Sequence, residues 1–396
     1  MNILMISSFL PFPLHNGGSV RLFNLIKLLS KNHKITLVCE MRPNQSDEDR
    51  RHVEEICERV IAVPRNRQWS VRNIIKTGFS LNPFLITGHT SHEMRAAIES
   101  ELLQKKYDLI HIETFYVMQN LPKTQLPKVL IEHNIEYFIY ERYANKAFFL
   151  LRPFFMLDVL KLRRAEEYAW REATVVATVS QQDKEVINQK NAFLVPNGVD
   201  TTEFKLKKIS DQFVTKEKKV LYIGDYGYVQ NKDAVSYIIK SIWPLMKKNQ
   251  DVKAKLWIVG KNMSQSIKDL GRDDASIIFD DKNTESAAKI FSQADVLLAP
   301  IRVGGGTSYK IIEAMAIGTP VVTTTLGHEG IEVQKEKDIL VADTPEDIVA
   351  AVTGLLIDQK QYRQLSANAR LAVEKTYDWK EITKSLEHVY KEAITK

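Results

Sequence analysis

The chain has 396 residues, 44% hydrophobic and 26% charged, a composition that suits a water-soluble globular protein and a length that suits two domains rather than one. Its 55 Lys and Arg against 49 Asp and Glu leave a formal charge of +6, a mild basic bias that fits an anionic substrate or an anionic membrane surface. Nucleic acid has no zinc-finger or RNA-binding signature to support it as a partner, and two cysteines, Cys39 and Cys57, exclude a disulfide framework or zinc site and fit a reducing cytoplasm.

The opening MNILMISSFLPF lacks a basic leader and a small-residue cleavage site, so residues 2–7 read as a buried first strand. Residues 10–18 form a Pro/Gly loop, and 20–31 carry Leu22, Leu25, Ile26 and Leu29 at helical spacing. Strands are expected at 34–39 and 60–63, with a helix over 46–59 between them. That helix opens on Asp47-Glu48-Asp49, which fits a metal-binding D-x-D but reads better as acids favouring a helix N-terminus behind Ser46. Residues 65–84 mix Arg65, Arg67, Arg72 and Lys76 with Trp69, Phe79 and Phe84. Such a segment either lies on an anionic membrane or packs on its own domain, and 147–164 reads in the same two ways. No apolar run reaches bilayer-spanning length.

Further strands are expected at 109–112, 128–132, 174–179 and 192–195. Asn197-Gly198 predicts a turn with positive φ, and the lysine-rich stretch 205–218 a linker. A second series of strands follows at 219–223, 255–259, 277–279, 296–299, 320–324 and 339–341. The alternation makes an α/β protein with two doubly wound Rossmann-like domains, whose ligands bind beyond the carboxyl ends of the strands, in a cleft if the domains face each other.

Residues 300–324, PIRVGGGTSYKIIEAMAIGTPVVTT, hold the densest chemistry. Gly304, Gly305 and Gly306 let backbone approach a ligand closely, and Thr307 or Ser308 can cap the helix that follows. Free N–H groups at that helix end favour phosphate. Glu313, about two turns in, can accept from a pair of hydroxyls, and Gly318-Thr319-Pro320 ends the helix. A phosphate loop with a carboxylate for a ribose suggests a nucleotide site. The loop is neither GxGxxG nor a Walker sequence, and no G-x-S-x-G occurs, so hydride transfer, ATP hydrolysis and serine hydrolysis lack support.

The run KIIEAMAIGTPVVTT resembles the signature of family 4-like retaining glycosyltransferases of the GT-B fold, group 1 glycosyl transferases. The match continues in Met1 to Gly18, in Pro196-Asn197-Gly198-Val199-Asp200 and in Gly260. Tyr377-Asp378-Trp379 and the helix after it resemble the helix that returns to the first domain in this fold. The resemblance implies an acceptor-side domain over 1–196, completed by helix 380–396, and a nucleotide-sugar domain over 197–379.

It also implies roles. Glu313 holds the donor ribose, and Gly304 to Thr307 pass the donor phosphates. Gly17 and Gly18 sit where the family's first loop meets diphosphate and acceptor, unless they form an ordinary surface turn. His133, in Glu132-His133-Asn134 at a strand end, matches a His that touches the donor sugar, with His111 and Glu113 beside it at the preceding strand end. The family often carries an Arg and a Lys after the first strand of the second domain; here 224–232 has no Arg and only Lys232 remains. Arg302 and Lys310 flank the glycine loop and can take over the charge neutralisation, Lys310 as the catalytic cation. Many relatives have two Glu eight positions apart, the first touching the donor sugar; Glu313 is the second and Gly305 stands in place of the first, so the sugar contact falls to backbone of Gly304 to Thr307 or another side chain.

The expected function is metal-independent, cofactor-free hexosyl transfer with retention, from a nucleotide-sugar to a glycan or lipid-linked acceptor, in cell-surface polysaccharide or glycoconjugate synthesis. The expected location is cytoplasmic, with peripheral contact at the inner membrane face. The missing Glu and Arg keep a catalytically silent nucleotide-sugar-binding protein as the alternative, with a sugar-nucleotide epimerase behind it.

Overall fold

The computed structural model describes residues 1–208, 217–249, 252–304 and 307–396, except for the side chain of Arg72. The chain divides into two compact units, Met1–Pro196 with Thr383–Lys396, and Asn197–Ile382. In the first, β1 (Asn2–Ser7), β2 (Lys34–Met41), β3 (Arg59–Pro64), β4 (Leu109–Glu113), β5 (Lys128–Glu132), β6 (Val175–Thr178) and β7 (Ala192–Leu194) form one parallel sheet ordered β3-β2-β1-β4-β5-β6-β7. In the second, β8 (Lys218–Ile223), β9 (Ala254–Val259), β10 (Ile277–Asp280), β11 (Val296–Ala299), β12 (Val321–Thr323) and β13 (Leu340–Val341) form another parallel sheet, ordered β10-β9-β8-β11-β12-β13.

Central strands such as β1 and β11 are buried apolar runs, as parallel strands covered on both faces must be. In each unit the chain starts in the middle, winds outward, then returns to the other side. The order therefore reverses between β1 and β4, and again between β8 and β11. Side-by-side strands whose loops leave in opposite directions open a crevice at their carboxyl ends, where ligands of such sheets bind.

Several local expectations are corrected. The first helix runs over Gly17–Leu29, not from residue 20, because Asn16 caps it by accepting from the Ser19 N–H at 3.0 Å. Gly17 and Gly18 are thus its first turn rather than the end of a loop. Neither Asn197 nor Gly198 takes a positive φ. Gly198 is needed for closeness: a Cβ there would lie 2.7 Å from the Trp379 ring. The linker expected at 205–218 falls largely outside the described residues, but the Lys207 N–H donates to Ile317 O at 2.9 Å, so its start is packed on the second unit. Asp47-Glu48-Asp49 does open a helix, Asp47–Glu54, and Asp49 accepts from the Ser46 N–H at 2.7 Å in a capping box. The last helix, Trp379–Thr395, starts in the second unit and ends in the first, where it buries Leu386, Val389, Tyr390 and Ala393.

Candidate functional site

In the second unit, the loops after β8 and β11 leave the switch point together. The helix Tyr309–Ile317 buries Ile311, Ile312, Met315 and Ala316 against the sheet, and Gly318, at φ 75°, ends it in the left-handed conformation. Ser308 occupies the cap position without a side-chain cap bond, and Thr307 donates its hydroxyl to Gly330 O at 3.2 Å instead. Glu313 is the fifth residue of this helix, so it stands little more than one turn in, not two.

Lys310 is the focus of the loop cluster. Its Nζ donates to Asn231 Oδ1 at 2.8 Å and to the Tyr222 hydroxyl at 3.4 Å, and sits 4.4 Å from the centre of the Tyr222 ring. Tyr222 in turn donates to Asn231 Oδ1 at 2.8 Å, and Asn231 Nδ2 donates to Asp225 O at 2.8 Å. Gly224 makes room for this knot, since a Cβ there would lie 2.8 Å from the Asn231 side chain. Burial pushes the Lys310 ammonium down to about 7, against the pull of Glu313. Burial, with Glu203 adding to it, pushes the Glu313 carboxyl up to about 7 while Lys310 holds it back. Among the described residues no hydrogen bond reaches the Glu313 carboxylate. A cation and a carboxyl, both poised to change charge near neutrality, thus stand one turn apart where a ligand is expected.

The other expected donor residues differ in setting. Arg302 forks onto Asp233 at 2.8 and 3.2 Å and lies 3.9 Å over the Tyr237 ring, so its charge is already matched inside the unit. Lys232 is exposed, in the helix Val229–Tyr237 beside Asn231. Gly304, at φ 122°, holds a conformation that L side chains rarely adopt. Gly305 and Gly306 lie outside the described residues. Tyr222 and Asn231 carry no charge that would mark them in the sequence as phosphate-site residues, yet Asn231 is the residue that anchors Lys310.

In the first unit, β4 ends on Glu113 and β5 on Glu132, so His133 steps off the sheet at the same end. His133 Nε2 lies 2.5 Å from Glu113 Oε1, and His111 Nε2 2.7 Å from Glu113 Oε2. Gly18 belongs to this cluster: a Cβ there would lie 3.5 Å from His133 Cε1. The first turn of that helix therefore packs close to the imidazole. Among the described residues no three His, Cys, Asp or Glu side chains gather as a metal-holding group.

The two apolar-basic stretches prove to be neighbours. Lys161 Nζ donates to Thr77 O and Ser80 O at 2.8 and 2.7 Å, and Asp158 accepts from the Phe84 N–H at 2.9 Å. Their large side chains point outward: Phe79 is 93% exposed, Trp69 78% and Phe154 73%. The packed-core reading of these residues is thereby corrected. Arg65 is corrected too, because it turns inward, with Nε 3.7 Å from buried Glu40 and Nη2 3.4 Å from His89. Among the described residues no helix is long and apolar enough to cross a membrane.

Known proteins share this architecture and sequence. Residues 15–203 match the family model described as Glycosyltransferase Family 4, and residues 217–358 the model described as Glycosyl transferases group 1. A Klebsiella pneumoniae protein described as an uncharacterized 44.6 kDa protein in cps region is 22% identical, over 97% of this chain and 98% of its own length. Phosphatidyl-myo-inositol mannosyltransferase of Mycolicibacterium smegmatis is 27% identical over 50% of this chain and 52% of its own. Among solved structures, sucrose-phosphate synthase of Thermosynechococcus elongatus is similar with a TM-score of 0.72 and 17% identity, over 100% of both chains. Anabaena HepE, solved with UDP-glucose, gives 0.65 and 14% over 99% of both chains. The two family matches, the two sheets with their parallel switch-point order and the full-length structural similarity lead to one assignment: the chain belongs to the group 1, family 4-like glycosyltransferases with the GT-B fold.

Proposed function

We propose that this glycosyltransferase moves a hexosyl unit from a nucleotide-sugar to a glycan or lipid-linked acceptor, with retention and without a metal ion. The observation that carries the proposal is the Lys310–Glu313 pair on one helix at the β8/β11 switch point, with Lys310 anchored by Asn231 and Tyr222. In this reading Lys310 meets the diphosphate, whose charge grows as the glycosidic bond breaks. Glu313 accepts from the ribose hydroxyls. Backbone at Gly304 and at Thr307 passes the phosphates, and Arg302 with Asp233 orders the neighbouring helix rather than meeting the ligand. Within the first unit, His133 and the helix turn at Gly17 and Gly18 offer polar groups of their own to a sugar. That HepE was solved with UDP-glucose supports a nucleotide-sugar as donor.

Incubation with a panel of nucleotide-sugars and a cellular lipid and glycan extract tests the reading. The expected result is free nucleoside diphosphate together with a glycosylated product whose anomeric configuration, read by NMR, matches the donor. EDTA leaves the rate unchanged. Inverted configuration, or activity lost to EDTA and restored by magnesium or manganese, contradicts the respective part.

In the same reading the acceptor lies at an anionic membrane, on the cytoplasmic side, as fits cell-surface polysaccharide or glycoconjugate synthesis. Support comes from the outward apolar face of Trp69, Phe79 and Phe154 with the exposed cations Arg67, Lys76 and Arg164 around it. Each cation near such a surface contributes about 1 kcal/mol, screened by salt. In liposome flotation the protein rises with anionic vesicles at low salt and much less with neutral ones. Replacing Arg67 and Lys76 with Ser and Phe79 with Ser together abolishes flotation. Wild-type protein that stays at the bottom of every gradient would point to a soluble acceptor.

A further inference from the structure

Glu113 has both carboxylate oxygens committed, one to His111 and one to His133. The chain of contacts continues inward, where His111 Nδ1 meets the Tyr390 hydroxyl at 2.8 Å. His111, Glu113 and Tyr390 are buried, and His133 is less so. Tyr390 comes from the last helix, 279 residues from His111 in sequence.

Proton positions along this chain follow from what each group can give. Burial, and then the Glu113 charge, hold the Tyr390 hydroxyl well above its usual range, so it keeps its proton. A phenol can donate or accept, so Glu113 decides: its carboxylate only accepts, which puts the proton of the neutral His111 ring on Nε2 and leaves Nδ1 to accept from the Tyr390 hydroxyl. His111 Nε2–H then donates to Glu113. Burial works to raise the Glu113 pKa, but His133 and His111 outweigh it and hold the carboxyl well below the usual range. An ionised carboxylate only accepts. The His133 proton must therefore sit on Nε2, donating to Glu113, and the neutral ring's lone pair is at Nδ1. Among the described residues no hydrogen-bond partner is found for His133 Nδ1.

We propose that Glu113, itself set by His111 and Tyr390, is a positioning residue that locks His133 in the Nε2–H form and presents its bare Nδ1 as a hydrogen-bond acceptor for a sugar hydroxyl. The sugar in this statement rests on the transferase reading above; the ring assignment does not. A carboxylate that fixes a histidine's tautomer acts through the ring rather than on the substrate. Two flanking imidazoles make this carboxylate hard to replace. A glutamine can accept from one ring but must offer its N–H to the other, which turns that ring's nitrogen into an acceptor and unlocks the chain.

Long-range proton–nitrogen NMR of the full-length protein labelled with nitrogen-15 histidine reads the tautomers, with His133→Gln assigning its signals. At a pH where the imidazoles are neutral, His111 and His133 should both show Nε2–H. Glu113→Gln should destroy the single tautomer of His133 and lower kcat about tenfold, the scale of one charge-assisted hydrogen bond. Its affinity for a nucleoside diphosphate, which carries no sugar, should stay within about twofold of wild type. Tyr390→Phe should leave His111 as Nε2–H, because Glu113 still only accepts, and should have a smaller effect on kcat. A wild-type His133 carrying its proton on Nδ1 overturns the proposal even if no variant folds. So does a Glu113→Gln enzyme with wild-type kcat. A wild type with both rings as Nε2–H that transfers no sugar upholds the ring assignment and counts against the transferase reading instead.

Discussion

Lys310→Ala lowers turnover about a hundredfold or more while donor affinity falls far less. The reason is that diphosphate charge grows towards the transition state, and a cation in a desolvated pocket is worth most where the charge is greatest. The variant should remain folded. Asn231 Oδ1 keeps its bond from Tyr222 at 2.8 Å, so no buried acceptor is orphaned. The sign of the pH effect points the same way. Lys310 is depressed from 10.5 to about 7 in the fold, so its contribution to stability is fully present above 10.5 and is lost as pH falls through about 7. Glu313 is raised from 4.5 to about 7, so its contribution is present below 4.5 and lost as pH rises through about 7. Near neutrality the folded protein thus carries charged groups it would rather neutralise, and removing Lys310 should not lower Tm at pH 7. Catalysis needs the opposite states, Lys310 protonated and Glu313 ionised. The kcat/KM profile should be a bell centred near 7, its two limbs belonging to the pair rather than to either residue. Lys310→Met should erase the alkaline limb. Wild-type turnover in Lys310→Ala would reduce this lysine to a packing role.

Glu313→Ala should act on binding instead. A carboxylate accepting from two ribose hydroxyls makes charge-assisted bonds in ground and transition state alike, so donor affinity falls by roughly 1–3 kcal/mol and kcat changes little. Glu313→Gln, which keeps the shape and one acceptor, should lie between. The loss should also grow with pH through about 7 in the wild-type comparison, because only the ionised form of Glu313 has the extra affinity to lose.

The architecture was legible because parallel strands covered on both faces are short apolar runs, and helices between them have their own period. Residues 296–299 and 109–112 could be placed from composition alone, and the observed strands agree within a residue or two. Ends were harder. Asn16 before two glycines reads equally well as a loop or as a cap, and only the bond from Ser19 N–H decides. The outward aromatics of 147–164 were undecidable, since an amphipathic stripe looks the same whether it faces a core or a lipid surface.

Of the site, single residues were visible and their couplings were not. Lys310 and Glu313 share a helix, so spacing related them. Asn231 is 79 residues from Lys310, and only the placement of β8 beside β11 brings them together. Glu113 and His133 meet because β4 pairs with β5, with Glu113 level with Ile131, two residues before His133. Arg302 looked like a free cation because its partner Asp233 lies 69 residues away. Pairings of this kind depend on strand order, which a local pattern does not encode.

Calorimetric titration of wild-type protein and Glu313→Ala with the donor identified by the panel, or with its nucleoside diphosphate, goes to the centre of the account. Saturable binding by wild type, weakened about 5- to 150-fold in the variant with its Tm intact, is the predicted result. Equal affinity in the two proteins, or no binding by the wild type, would contradict the placing of a nucleotide-sugar at the Lys310–Glu313 helix.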